Sequence, residues 1–391
     1  MRGFKQLLQR LPASSRRILL PAVAGVVVAC AGLASAAVSG RDQPQGVLPQ
    51  WLSDGDFWAL SNRISEPGGY FRIEDNYTSN EMEVGQLYSM LRGRGIGGDV
   101  FIGVGPEQNY TYIAAIRPRM AFLIDIRRQA VMQHLMFKAM FELANDRADF
   151  ISLLFGKPRP AGIDTAMSIQ NIWNAYRLVR SDSAYSAANF ERIVDLLTAR
   201  KKFVFNENEQ MQLRGVYNAF YYYGPSITTR GPPSGRGGDF MTLTAFSEDS
   251  TGVPQSFLAT EDDFRYVKSL HDRNLIVPVS GDFAGPKALR AIGSYLKDHN
   301  AVVRAFYVSN VEQYLFSDGV NKEFYANATT LPVDARSVFI RPYSLRRWGR
   351  GPIRAWPDTG ETQSLCPMAG FLRAAADGRV NSNTDALNCP P

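Results

Sequence analysis

Two glycines and one aspartate stand where a ligand-binding α/β sheet needs them. Gly103 and Gly105 close the apolar run 99–105, and Asp125 closes a second apolar run, 120–125. Glycine lets the backbone approach a ligand closely, and the helix that follows begins with unpaired N–H groups. A carboxylate at the end of the next strand binds hydroxyl groups through charge-assisted hydrogen bonds. The pattern predicts a cofactor site, although a tight turn and a helix cap explain the same residues.

Four further polar residues are candidates for the same site. Glu107, in a first helical turn, either contacts the cofactor or interacts with the helix dipole. Asp282 follows a later strand and either contacts the cofactor or braces its turn. Asn310 follows another strand, at a position where open α/β sheets bind ligands, and is either catalytic or a helix cap. Glu312, two residues further on, is the candidate general base.

The segments that carry these residues predict alternating strands and helices. Strand 99–105, helix 107–116 and strand 120–125 form a βαβ unit. A long, mostly helical insertion is expected at about 146–250, after the second strand. The remaining predicted helices are 80–91, 127–145, 147–155, 262–270, 286–299 and 310–316, and the remaining strands are 275–279, 302–308 and 337–340.

The order of these elements resembles a class I S-adenosylmethionine-dependent methyltransferase. Four phrases also resemble a group of uncharacterised bacterial proteins that are described as having a methyltransferase-like fold: 105–112 (GPEQNYTY), 124–128 (IDIRR), 281–286 (GDFAGP) and 309–314 (SNVEQY). The resemblance covers roughly residues 80–345. It implies an α/β, Rossmann-like, mostly parallel sheet with helices on both faces.

The same resemblance implies S-adenosylmethionine as the cofactor. It assigns cofactor contacts to the glycine turn, Asp125 and Asp282, and a substrate-facing role to 309–312. The sequence departs from the methyltransferase pattern at Pro106, which removes one N–H donor from the turn, and it lacks the Asn/Asp-Pro-Pro-Tyr motif. Two hypotheses therefore remain: a methyltransferase-like enzyme, or a non-catalytic envelope protein that binds a small ligand or a partner on a degenerate fold.

Residues 1–36 are expected to be a signal peptide or an N-terminal membrane anchor. A basic segment that ends at Arg17 precedes the uncharged run 18–38, and Ala34-Ser35-Ala36 has the small-x-small pattern of a cleavage site. Residues 15–20 resemble a twin-arginine signal. Either alternative places the body of the protein outside the cytoplasm, in the periplasm or anchored to the inner membrane.

The charge distribution argues against nucleic acid as a partner. The chain has a formal net charge of +6, and residues 1–36 hold five basic residues and no acidic one. The rest is therefore close to neutral, so no general field attracts phosphate backbones.

The remaining cysteines fit an exported protein. Beyond residue 36 only Cys366 and Cys389 occur, both within the predicted C-terminal tail 346–391. A disulfide between them is plausible in an oxidising compartment, and two separate thiols are the alternative. Residues 37–79 are expected to be a linker and N-terminal extension. The three scattered histidines and two cysteines predict no metal site.

Overall fold

The computed structural model describes five parts of the 391-residue chain: 46–72, 75–81, 83–232, 239–342 and 363–391. The predicted signal or anchor, residues 1–36, lies outside these parts. Among the residues that are described, no helix is long and apolar enough to cross a membrane.

A sheet of six strands organises the described chain. Its strands are β1 (Val100–Gly103), β2 (Met120–Asp125), β3 (Ile276–Ser280), β4 (Val303–Tyr307), β5 (Val338–Pro342) and β6 (Gln363–Pro367). They lie in the order β3-β2-β1-β4-β5-β6. The first five are parallel, and β6 pairs antiparallel with β5. The predicted α/β class with a mostly parallel sheet is confirmed.

Strands β1 to β4 are apolar because they are buried. Every residue of β1, β2, β3 and β4 is buried. Parallel strands that are buried on both faces read as continuous apolar runs, which is why the runs at 99–105 and 120–125 predicted them. The chain builds outward from β1 to β2 and β3, and then returns to place β4 on the other side of β1. Ligands of open α/β sheets bind at such a reversal, at the carboxyl ends of the strands.

Fourteen α-helices accompany the sheet in the described parts. Those before β3 are α1 (Asp54–Ile64), α2 (Val84–Gly93), α3 (Gln108–Ile116), α4 (Arg128–Leu143), α5 (Arg147–Phe155), α6 (Ile169–Arg177), α7 (Ser183–Val194), α8 (Glu207–Tyr223) and α9 (Glu261–Asp272). Those after it are α10 (Ala288–Asp298), α11 (Val311–Asp318), α12 (Asn321–Ala328), α13 (Met368–Ala376) and α14 (Asn383–Leu387).

The chain between β2 and β3 consists mostly of helices, α4 to α9, and includes residues 146–250, where a helical insertion is expected from the sequence. Helix α4 packs against β2 and β3 and also contacts α5, α7 and α8. Two short π-helical segments, Asp195–Arg200 and Met241–Ala245, interrupt this region. The insertion is thus joined to the sheet through α4.

Helix α1 lies in the stretch expected to be a linker and extension. Ser53 caps it by accepting a hydrogen bond from the Asp56 backbone N–H at 3.0 Å. The Ser61 hydroxyl donates to the Pro278 carbonyl of β3 at 2.6 Å. Residues 66–72 and 75–81, here called the covering segment, then cross the carboxyl edge of the sheet, where Gly69 N–H donates to the Ile126 carbonyl at 2.8 Å.

The end of the chain completes the sheet, which the sequence analysis did not predict. Strand β6 aligns Cys366 with Phe339 of β5, and Phe371 of α13 is fully buried. Cys366 and Cys389 form a disulfide with a Cα–Cα distance of 5.7 Å. The predicted disulfide is confirmed, and it ties α14 back to the edge strand.

Candidate functional site

A cavity of about 210 Å³ lies at the carboxyl edge of the sheet. Residues from the carboxyl ends of four adjacent strands line it, among them Gly105 after β1, Asp125 in β2, Asp282 after β3 and Ser309 after β4. The covering segment closes it from the opposite side with Tyr70, Phe71, Asn76, Ser79 and Asn80. The site is therefore built where the strand order reverses.

The two glycines of the turn after β1 have different roles. A methyl group at Gly103 would lie 2.0 Å from Asn109 Oδ1, so the close packing of α3 on the turn requires glycine there. Gly103 does not line the cavity, and its predicted cofactor contact is not formed by this geometry. Gly105 does line it, and its φ of +80° is a conformation that favours glycine.

Asn109 and His134 hold the turn from behind. The Asn109 amide donates to the carbonyls of Val104, Gly105 and Pro106 at 3.0, 3.1 and 2.8 Å. His134 Nε2 lies 3.1 Å from the Gly105 carbonyl, which can only accept, so Nε2 carries the proton. Nδ1 then accepts from the Tyr110 hydroxyl at 2.9 Å. Burial lowers the pKa of His134 to about 4, so it is a neutral structural residue.

Glu107 belongs to the buried residues that support the turn after β1, and not to the cavity wall. Its Oε1 accepts from the Thr244 hydroxyl at 2.6 Å and from the Ser79 backbone N–H at 3.2 Å. The side chain is fully buried and does not line the cavity, which removes it from the predicted cofactor contacts. Burial raises the pKa of Glu107 to about 7.

Asp125 lines the cavity, as its predicted role requires, but an arginine already engages it. Asp125 Oδ1 accepts from the backbone N–H and Nε of Arg127 at 2.9 and 3.0 Å, and Oδ2 accepts from Arg127 Nη2 at 2.8 Å. A carboxylate offers about four lone-pair directions, so about one remains for a ligand hydroxyl. Because Arg127 donates through its own backbone N–H, Asp125 also acts as a local cap.

Asp282 braces its turn, one of its two predicted roles, and also lies in the cavity wall. Its Oδ1 accepts from the Ala284 N–H at 2.9 Å. The N-terminus of α10 follows the Asp282 turn, and its free N–H groups bind the carboxylate of Glu66 from the covering segment. Glu66 accepts from the N–H groups of Lys287 and Ala288 at 2.8 and 2.7 Å. This carboxylate takes the place that a phosphate would occupy at a helix N-terminus.

The turn after β4 contacts a residue of the covering segment that the sequence analysis missed. Glu81, from the covering segment, accepts from the Tyr307 hydroxyl at 2.7 Å and from Ser309 Oγ at 3.1 Å. Both hydroxyl residues line the cavity, and burial raises the pKa of Glu81. Asn310 also lines the cavity, and its side chain makes no cap hydrogen bond to α11. No pattern in the sequence links Glu81 to β4, because 226 positions separate it from Tyr307.

Glu312, the predicted general base, points away from the cavity. It is 4% exposed and forms an ion pair with Arg341 of β5. Its Oε1 also accepts from Arg341 Nη2 at 3.0 Å and from the Tyr325 hydroxyl at 2.8 Å. Glu312 is absent from the cavity lining, and its oxygens are occupied, so we remove it from the candidate catalytic group.

Aromatic side chains form the remaining wall. Phe71 of the covering segment meets Tyr314 of α11 edge-on at 4.9 Å between ring centroids. The Arg72 guanidinium lies 4.5 Å from the centre of the Tyr314 ring. These contacts hold the covering segment against α11. A second cavity of about 540 Å³ shares Tyr70, Phe71 and Arg127 with the first, so the two lie side by side.

The charged and accepting groups favour a ligand that donates hydrogen bonds. Among the described lining residues, three carboxylates, from Asp125, Asp282 and Asp318, face one guanidinium, from Arg127. Gln108 also lines the cavity, and its buried Oε1 has no hydrogen-bond partner. No group of three or more His, Cys, Asp or Glu in the described parts is arranged to hold a metal ion.

Comparison with known families places the chain in one of unknown function. Residues 77–211 and 242–366, more than half of the chain, match the model of "Domain of unknown function (DUF7790)", and the chain belongs to this family. The matched residues include strands β1 to β5, all of β6 but its last residue, and the lining residues Asp125, Asp282, Ser309 and Asn310. No curated protein matches the chain.

Proposed function

For this member of a family of unknown function, we propose that the cavity binds a nucleoside-type ligand, with S-adenosylmethionine as the first candidate. One observation carries the proposal: Gly105, Asp125 and Asp282, from the ends of three adjacent strands, line the same cavity. This is the place where open α/β sheets bind ligands. An acid at the end of the second strand is suited to a sugar hydroxyl.

The strand order supports a Rossmann-like, methyltransferase-like fold. The order β3-β2-β1-β4-β5 is that of a doubly wound sheet, and an antiparallel strand follows it at the edge. Crossovers between parallel strands are right-handed in nearly all proteins. Because the chain moves in opposite directions from β1 to β2 and from β4 to β5, this rule puts the helices on both faces.

The charges favour a cationic nucleoside over a dinucleotide. S-adenosylmethionine carries a sulfonium and an ammonium group, which suit a lining with three carboxylates and one guanidinium. The pyrophosphate of NAD would meet those carboxylates, and the N–H groups that begin α10 already bind Glu66. The unpartnered Gln108 Oε1 provides a further acceptor for an N–H or O–H group.

The dimensions fit the ligand if it uses both cavities. A volume of about 210 Å³ is below the roughly 300–1,000 Å³ of most small-molecule sites. The adjoining cavity of about 540 Å³ shares three wall residues with it and gives a longer ligand room. Asp125 would hold a ribose hydroxyl, and Asp282 would lie on the side of the base. When bound, S-adenosylmethionine supplies an electrophilic methyl group.

A non-catalytic binding protein is the second candidate. It is favoured by the loss of the expected base, since Glu312 is buried against Arg341. It is also favoured by the commitment of three of the Asp125 acceptor positions to Arg127. The same cavity would then bind its ligand without transforming it.

We place the protein outside the cytoplasm, because of the basic and apolar segment at 1–38 and the disulfide between Cys366 and Cys389. Alkaline phosphatase fused after residue 45 is expected to be active in a bacterial host. The N-terminal sequence of the full-length product from the envelope fraction then distinguishes cleavage after Ala36 from a retained anchor. An inactive fusion and recovery from the cytosol would contradict export.

Calorimetric titration of the full-length chain tests the ligand. S-adenosylmethionine and S-adenosylhomocysteine are expected to bind in the micromolar range, and NAD is expected to bind more weakly or not at all. Binding without any methyl transfer to a panel of acceptors would favour the second candidate. Heat of dilution alone with both S-adenosyl compounds would refute the proposed ligand.

A further inference from the structure

The hydrogen bonds to Glu81 fix the orientation of two hydroxyl groups at the cavity wall. A carboxylate accepts, so the Tyr307 and Ser309 hydroxyls both donate their protons to Glu81 Oε1, at 2.7 and 3.1 Å. Each hydroxyl oxygen keeps its lone pairs. Ser309 lines the cavity and is only partly buried, so the lone pairs of its hydroxyl are available to a bound molecule, whereas Tyr307 is 1% exposed. This end of the cavity therefore recognises a group that donates a hydrogen bond.

The backbone holds Ser309 at the junction of strand and helix. Strand β4 ends at Tyr307, Ser309 has φ +48°, and α11 begins at Val311. A serine with positive φ is uncommon, and such residues cluster at functional sites. The turn brings Oγ to the carboxyl edge within reach of a carboxyl group from a distant part of the chain.

We propose that Ser309 and Glu81 form a proton relay for a hydroxyl or amino group of a substrate in the β4 half of the cavity. The substrate O–H or N–H bond breaks, and its proton moves to Ser309 Oγ. The original Ser309 proton moves to Glu81 Oε1, and the substrate atom keeps the electron pair. The substrate is thereby made a nucleophile. The relay rests on the proposed role of the cavity as a ligand site, and it is independent of which nucleoside binds there.

The surroundings of Glu81 affect its pKa, so the relay is expected to depend on pH. Burial raises the pKa of Glu81, and the hydrogen bonds from Tyr307 and Ser309 oppose that rise. Tyr112 meets Tyr307 at 4.9 Å between ring centroids. Glu107 is a second buried acid that is linked to Glu81 through Ser79, which donates its N–H to Glu107 and accepts from the Glu81 N–H through Oγ. A pH profile must therefore separate Glu81 from Glu107.

Labelling with diisopropyl fluorophosphate tests the relay on the full-length chain without any nucleoside. The reagent forms an Oγ–P bond with serine and releases fluoride, while the serine proton passes to its base. We expect mass spectrometry to find the label on Ser309, at a rate that rises with pH as Glu81 loses its proton. The Glu81→Gln variant is expected to react about a hundredfold more slowly, the usual contribution of a general base.

Two further variants identify the group that titrates. Tyr307→Phe removes a hydrogen bond that favours the charged form of Glu81, so the midpoint of its profile is expected at higher pH. Glu107→Gln, the matched loss of a buried carboxyl outside the cavity wall, is expected to keep the wild-type profile. If Glu81→Gln does not fold, the midpoint shift in Tyr307→Phe still tests whether Glu81 is the titrating group.

The results that overturn the relay differ from those that overturn the nucleoside ligand. An unlabelled Ser309 peptide over the whole pH range, or equal rates in folded Glu81→Gln and wild type, contradicts the relay. The relay is also contradicted if the midpoint of the pH profile of labelling shifts in Glu107→Gln and does not shift in Tyr307→Phe. Labelling that follows the expected pattern, in a protein that binds no S-adenosyl compound, leaves the relay standing and removes the nucleoside.

Discussion

The Asp125 carboxylate and the Arg127 guanidinium form a two-pronged ion pair at the end of β2, with Nε and Nη2 at 3.0 and 2.8 Å from the two carboxylate oxygens. Both side chains are about nine-tenths buried. The pair fixes the orientation of Asp125 beside the cavity. It also makes Arg127 part of any site that uses Asp125, because the two charges partly cancel each other.

Replacing Asp125 tests the expected ribose contact. Asp125→Asn keeps the size of the side chain but weakens its acceptor, so the affinity for S-adenosylhomocysteine is expected to fall at least about tenfold, or about 1.4 kcal/mol. Asp99→Asn is the matched control, because Asp99 pairs with Arg304 at 2.7 Å and does not line the cavity. Equal affinities of the two variants for S-adenosylhomocysteine, measured by calorimetry, would contradict the ribose contact assigned to Asp125.

Glu312 and Arg341 are expected to stabilise the fold and not to act on the ligand. Arg341→Met leaves the buried Glu312 carboxylate without its partner, which costs about 3–5 kcal/mol of unfolding free energy. The double variant Glu312→Leu/Arg341→Met is expected to recover most of this loss. Urea unfolding measures both. A single variant as stable as wild type would show that the pair has no such role.

Glu107 predicts a pH dependence of stability. Its folded pKa of about 7 lies above the usual carboxyl value, so the folded state holds a proton that the unfolded chain releases. The unfolding free energy of wild type is therefore expected to fall, relative to Glu107→Gln, as pH rises from about 4.5 to 7, by about 3 kcal/mol at most. His134 acts in the opposite direction, with stability lost as pH falls toward about 4, but it is present in both proteins. Parallel stability curves for the two proteins would contradict this pKa.

The disulfide is expected to stabilise the C-terminal part of the sheet. It closes a loop with a sequence separation of 23, for which the chain-entropy model gives about 3 kcal/mol. Urea unfolding of Cys366→Ala/Cys389→Ala, beside reduced and oxidised wild type, measures the effect. Rapid thiol labelling of native, non-reduced protein would show that the bond is absent in solution.

The sequence predicted the centre of the fold well because buried parallel strands have a strong signature. Strand β2 begins and ends at the expected residues, and the turns after β1 and β3 lie where glycine and aspartate indicated them. Helix α1 was missed because it lies in a stretch that was expected to be a linker and extension, although Phe57, Leu60 and Ile64 have helical spacing. Strand β6 was missed because its pairing with β5 crosses a long stretch of chain, and antiparallel edge pairing leaves no local pattern.

The candidate site was only partly predictable for a related reason. Gly105, Asp125, Asp282 and Asn310 lie at the ends of their strands or within three residues of them, so the sheet brings them together in the cavity. Glu81 reaches the site from the covering segment, and only the folded chain brings it to Ser309. The prediction for Glu312 was wrong because its position soon after β4 suggested the cavity, whereas its position in the first turn of α11 directs it toward β5 and Arg341.

A crystal structure of the full-length chain with S-adenosylhomocysteine tests the proposed binding of a nucleoside in the cavity. Ligand density is expected in the cavity at the carboxyl edge, with a ribose hydroxyl within hydrogen-bonding distance of Asp125 and the amino-acid part beyond Gly105. Ligand density at another surface, or an empty cavity in crystals grown at saturating ligand, would contradict it.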